Sequence, residues 1–159
     1  MALKYYWEDF PAGRVFETGA RTLSEQDIIR FAQEFDPQPF HIDVEAAQRS
    51  PFGGLIASGW HTAALNTRLM CDSYLLESAG VGSPGMEELR WMKPVRPGDA
   101  LRLRSTVIET TPSRKQPNRG TVLFLWETLN QHDEVVLSMR GRQLFLRRAP
   151  APPASTQQP

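Results

Sequence analysis

Phe31 to Thr62 reads FAQEFDPQPFHIDVEAAQRSPFGGLIASGWHT, and the reading of the whole chain turns on it. Within it Asp36 and His41 bracket Pro37-Gln38-Pro39-Phe40, a short bridge that holds two prolines. Each proline fixes its own φ and restricts the residue before it, so the backbone largely sets how carboxylate and imidazole stand to one another. Groups held in a fixed relation suit proton transfer, and histidine is the side chain whose ordinary pKa lies nearest neutrality. The residues alone also allow a second explanation. Asp36 can end a helix, His41 can pack beneath it and Asp43 can cap the next helix, all by ordinary turn chemistry.

Working outward, Val15 to Thr22 reads as a short strand. Ser24, with Asp27 three residues on, has the form of a capping box opening a helix. Ile28, Phe31, Ala32 and Phe35 fall on one face of that helix, and Pro37 ends it. Asp43 then caps a short helix over Val44 to Arg49. The longest uninterrupted helical pattern runs from Trp60 to Glu77, with Ser58-Gly59 as its start and Gly80 as its stop. The second half changes period: Glu87–Lys93, Asp99–Thr111, Gly120–Asn130 and Val135–Arg147 read as strands. Leu101-Arg102-Leu103-Arg104 alternates, which predicts one wet and one buried face. A long helix followed by several antiparallel strands predicts an α+β fold in which a sheet curls around one helix, the hot-dog arrangement. Residues 1–148 are expected to form a single such domain. The Pro-rich residues 149–159 are expected to be a flexible tail.

The central segment resembles the signature of MaoC-like dehydratases and (R)-specific enoyl-CoA hydratases, Asp-x-Asn-Pro-x-His-x-Asp. It stands here as Asp36-Pro37-Gln38-Pro39-Phe40-His41-Ile42-Asp43. Phe52-Gly53 and Ile56-Ala57-Ser58-Gly59 are similar to the family's following segments, and Lys93-Pro94-Val95-Arg96-Pro97-Gly98-Asp99 to its entry into the sheet. The resemblance implies a hydro-lyase of fatty-acid metabolism that adds water to a trans-2-enoyl thioester or removes it from the 3-hydroxyacyl form, without a cofactor or metal. It implies that Asp36 and His41 are the acid/base pair, with the sequence leaving open which is which. Gly59 is the implied oxyanion donor. An unpaired N–H at the positive end of a helix, with no side chain in the way, agrees with that role. Gln38, Phe40, Ser58 and Trp60 are the expected substrate-contacting residues.

The chain departs from the family pattern at three places. Gln38 stands for Asn, Ser58 for a frequent His, and Trp60 for a smaller apolar residue. Ser58 either alters water contacts or strengthens the helix cap; Trp60 either narrows the acyl pocket or packs in the core. These departures keep in view a MaoC-like domain that binds an acyl thioester or a partner without turnover; a thioesterase, another hot-dog chemistry, is a further reading that no particular residue favours. His61 is expected to be structural and His132 exposed in a turn. Arg102, Arg104, Arg140 and Arg142 are read as solvated strand residues, of which one or two are available to coenzyme A phosphates.

Composition sets the remaining limits. Lys+Arg and Asp+Glu both number 18, a balance that argues against nucleic-acid binding. The lone Cys71 rules out an intrachain disulfide and a thiolate metal site. With no export signal at the N-terminus and no apolar run long enough to span a bilayer, a cytoplasmic protein without membrane contact is expected. The expected partners are an acyl-CoA or acyl-carrier-protein thioester and a second copy of the chain. A hot-dog protomer leaves a sheet edge to cover, and family members assemble as dimers or larger.

Overall fold

Ser24 opens the first helix as the sequence predicts. Its side chain accepts from the Asp27 N–H at 3.1 Å while the Asp27 carboxylate accepts from the Ser24 N–H at 3.3 Å. The helix, α1 (Glu25–Phe35), buries Ile28 and Ala32. Phe35, expected on the same face, is 64% exposed, because the helix ends there and leaves it beyond the covering structure; its ring lies 5.0 Å from that of Phe31. In this computed structural model, residues 3–148 are described; the expectation of a flexible tail at 149–159 lies outside the described residues.

After Pro37 the chain makes a four-residue helix, α2 (Pro39–Ile42), where the two prolines predict only a stiff connection. Proline at the first helical position explains it, since its fixed φ suits the helix and its missing N–H would have had no partner there. Asp43 caps α3 (Val44–Gln48) by accepting from the Ala46 N–H at 2.9 Å. The long helix α4 (Gly59–Met70) passes into a π turn (Cys71–Leu75), five residues short of the predicted stop at Gly80. The widened turn accompanies Tyr74, which is fully buried. Its hydroxyl donates to Gln143 Oε1 at 3.1 Å and accepts from Trp126 Nε1 at 3.0 Å.

Six strands form the sheet: β1 (Val15–Glu17), β2 (Arg21–Thr22), β3 (Gly85–Trp91), β4 (Ala100–Pro112), β5 (Arg119–Leu129) and β6 (Val135–Leu146). The predicted strand at Val15–Thr22 is thus two pieces, both paired with β4 and broken at Thr18–Ala20. The spatial order is β1-β4-β5-β6-β3, with every pairing antiparallel. Register shifts after Val107, Met86 and Thr128 bend the long strands. The sheet curls against one flank of α4, burying Leu65, Asn66, Leu69 and Met70, while Ala64, Thr67 and Arg68 on the other flank are exposed. This is the expected hot-dog fold.

Leu101 and Leu103 are fully buried and Arg102 and Arg104 point outward, as the alternation predicts. An aromatic stack fills the space between helix and sheet: Phe10 lies on Phe145 at 4.2 Å, Tyr74 on Phe124 at 5.5 Å, and Phe124 on Trp126 at 5.2 Å. β3 is different. It pairs only with β6, and six of its seven residues are exposed.

Candidate active site

Asp36 is the residue on which α1 ends, and α2 begins three residues later, so the double-proline bridge brings His41 back beneath it. His41 is buried. Its Nδ1 lies 2.7 Å from the Ile56 carbonyl oxygen. A carbonyl only accepts, so Nδ1 carries hydrogen and donates. That leaves Nε2 facing Asp36 Oδ2 at 3.4 Å. Phe40 packs edge-on against the imidazole, with ring centres 4.6 Å apart, and meets Phe52 at 5.1 Å.

Both oxygens of Asp36 accept further hydrogen bonds. The Gln38 amide donates to Oδ1 at 2.8 Å and the Ser58 hydroxyl to Oδ2 at 2.6 Å. Burial pushes the Asp36 pKa up, but the bonds from Ser58 and Gln38 and the nearness of His41 outweigh it and hold the carboxyl below its ordinary value.

Gly59 opens α4, so its N–H is among those a helix leaves without an internal partner. A Cβ at this position would lie 2.5 Å from Cε2 and Nε1 of the Trp91 indole. Only glycine allows that approach.

These groups meet in one open cavity of 430 Å³. Asp36, Gln38, Phe40, His41, Gly59 and Trp60 all line it. Ser58 does not. It is fully buried behind Asp36, and its Oγ also accepts from the Trp60 N–H at 3.2 Å. The substitution therefore both caps the helix and engages the carboxylate. Trp60 is 59% exposed, which excludes the core-packing alternative. It stands at the cavity mouth with its ring 5.2 Å from that of Trp91 in a T-shaped contact.

Several lining residues come from outside the two motifs and carry no local sequence signal for the site. Trp91, Met92 and Lys93 come from the end of β3 and the segment beyond it, and Ile56, Thr62 and Val95 are among the other residues of the wall. Lys93 is ion-paired with Glu134. The four strand arginines are paired within the chain: Arg102 with Asp133 and Glu17, Arg104 with Glu127, and Arg140 and Arg142 with Glu87. His61 does not line the cavity. Its ring stacks on Phe31 at 4.5 Å, and burial lowers its pKa.

A family model described as a MaoC like domain matches residues 9–124. The chain belongs to the MaoC-like family. It is 35% identical over 126 residues to the uncharacterized protein YdeM of Bacillus subtilis, covering 79% of this chain and 88% of that one. It is 30% identical over 139 residues to the 3-hydroxybutyryl-CoA dehydratase of Methylorubrum extorquens, covering 83% and 78%. The crystal structure of the MaoC-like dehydratase from Rhodospirillum rubrum superposes with a TM-score of 0.86 at 44% identity, covering 92% of this chain and 99% of that one. No helix among the described residues is long and apolar enough to cross a membrane.

Proposed function

We propose that this domain hydrates trans-2-enoyl thioesters and, in reverse, dehydrates 3-hydroxyacyl thioesters, with Asp36 and His41 as its acid/base pair and Gly59 as its oxyanion donor. The observation that carries the reading is the approach of Asp36 Oδ2 and His41 Nε2 to 3.4 Å at the wall of the cavity. With Nδ1 donating to Ile56, a neutral imidazole presents a lone pair at Nε2 beside the carboxylate oxygen. A water between two such acceptors points both hydrogens at them and turns its own lone pair toward the cavity. That is the orientation a nucleophilic water needs.

The reaction balances on these groups alone. The water oxygen bonds to C3 of the enoyl thioester while one water proton passes to the pair. The C2–C3 π electrons move onto the thioester carbonyl, whose growing negative charge the Gly59 N–H stabilises by donating a hydrogen bond. C2 then takes a proton back from the pair, which returns to its starting state. The names of the dehydratase relatives support the same chemistry. Addition of the protein to crotonyl-CoA tests it. Loss of the conjugated absorbance without release of free thiol is expected; thiol release without hydration would make the domain a thioesterase, and neither change would contradict both.

The carrier is proposed to be coenzyme A or acyl carrier protein. A homodimer is proposed on the free edge of β3, where Met86, Trp91 and neighbouring Met92 expose apolar surface beside unpaired backbone groups. Sedimentation is expected to give twice the chain mass, and Glu88→Pro on that strand to shift it toward monomer. A wild-type monomer at micromolar concentration would contradict the proposal.

A further inference from the structure

We propose that Ser58 is a positioning residue that holds Asp36 as a fixed carboxylate anchor, so that His41 Nε2 is the member of the pair that takes the water's proton. The inference rests on the hydratase reading and settles, within it, which group is the base.

The hydroxyl of Ser58 has a single proton and no solvent contact. Two neighbours fix its direction. The Trp60 N–H donates to Oγ, so that side of the oxygen must accept; the proton goes to Asp36 Oδ2, 2.6 Å away. Gln38 holds the other carboxylate oxygen from the solvent side. Each oxygen keeps a lone pair with which to orient a water. Protonating the carboxyl, however, would turn the charge-assisted bonds from Ser58 and Gln38 into weaker neutral ones, and among the described residues the Ser58 hydroxyl donates only to Asp36. His41 faces the opposite situation. Its Nδ1–H is committed to Ile56, its Nε2 is open, and an imidazolium formed there would have the carboxylate 3.4 Å away. The proton therefore leaves water for Nε2, breaking O–H and forming N–H, and returns from Nε2 to C2. The other titratable group lining the cavity, Lys93, is paired with Glu134.

Three variants test the assignment on crotonyl-CoA. Ser58→Ala removes the donor and weakens the cap of α4. Ser58→Cys keeps the side chain's size with a much poorer donor, and Ser58→Thr keeps the hydroxyl. The Ala and Cys variants are expected to lose about tenfold or more in kcat with KM changed far less, and Thr to restore most of it. The titration of the Asp36 carboxyl, followed by carbon-13 NMR, should move to higher pH in the Ala and Cys variants, because Asp36 loses the bond that favours its charged form; this readout makes no reference to turnover. Folded Ala and Cys variants with wild-type kcat and an unmoved Asp36 titration would overturn the proposal. A wild type that hydrates no enoyl thioester, with the titration still moved by Ser58→Cys, would overturn the hydratase reading and leave the anchoring of Asp36 standing.

Discussion

Replacement of His41 by alanine is expected to lower kcat for enoyl-thioester hydration by about 10³-fold, within the range of roughly 10²–10⁴ for a lost acid/base group. The expectation follows from the single open nitrogen of the ring. With Nδ1 bound to the Ile56 carbonyl, Nε2 is the one atom of His41 that reaches the water site beside Asp36. Asp36→Asn should fall in the same range for a different reason: it removes the negative charge that stabilises an imidazolium and leaves Ser58 an uncharged, weaker acceptor. The two losses should not add, since both variants disable one proton path. His41→Gln serves as control for the buried bond to Ile56. If His41→Ala and His41→Gln both keep more than about a tenth of wild-type kcat, His41 is not the proton carrier.

Trp126→Ala is expected to give the largest loss of stability, about 3–5 kcal/mol, which for a chain of this length corresponds to roughly 10–15 °C in Tm. Trp126 is fully buried, stacks on Phe124 and donates its indole N–H to the Tyr74 hydroxyl. Truncation leaves a cavity behind the aromatic stack and removes a hydrogen bond to a phenol that burial already holds well above its ordinary pKa. Trp126→Phe retains the stacking and should lose about half as much. Differential scanning calorimetry decides the matter; a Tm within about 3 °C of wild type for the Ala variant would mean that the stack does not anchor the sheet to α4.

The elements that were legible in the sequence are those whose signals are local. The Ser24/Asp27 capping box, the Pro37 stop, the Asp43 cap and the alternation of Leu101–Arg104 each depend on neighbours a few residues away, and each appears in the fold where it was expected. The misses have a different origin. Four residues are too few to show a period, so α2 was hidden, although Pro39 at its first position was an available sign. The π turn follows from where Tyr74 must point to meet β5 and β6, which helical periodicity does not carry. Phe35 matched its helix face and still ended exposed, because a helix face says nothing about where the covering structure stops.

Within the candidate site the same division holds. The rigid spacing of Asp36 and His41 was local and readable, whereas the partner of Ser58 lies 22 residues away in sequence. Trp91 closes on Gly59 from the far end of β3. The strand arginines looked available for phosphate only because their carboxylate partners, on other strands and turns, could not be assigned in advance.

Incubation of the protein with crotonyl-CoA in deuterium oxide, followed by mass spectrometry and NMR of the product, tests the central claim most directly. Hydration through the Asp36–His41 pair predicts 3-hydroxybutyryl-CoA carrying a single carbon-bound deuterium at C2, formed by wild type and lost in His41→Ala. Unchanged crotonyl-CoA, or crotonate with free coenzyme A, would contradict it.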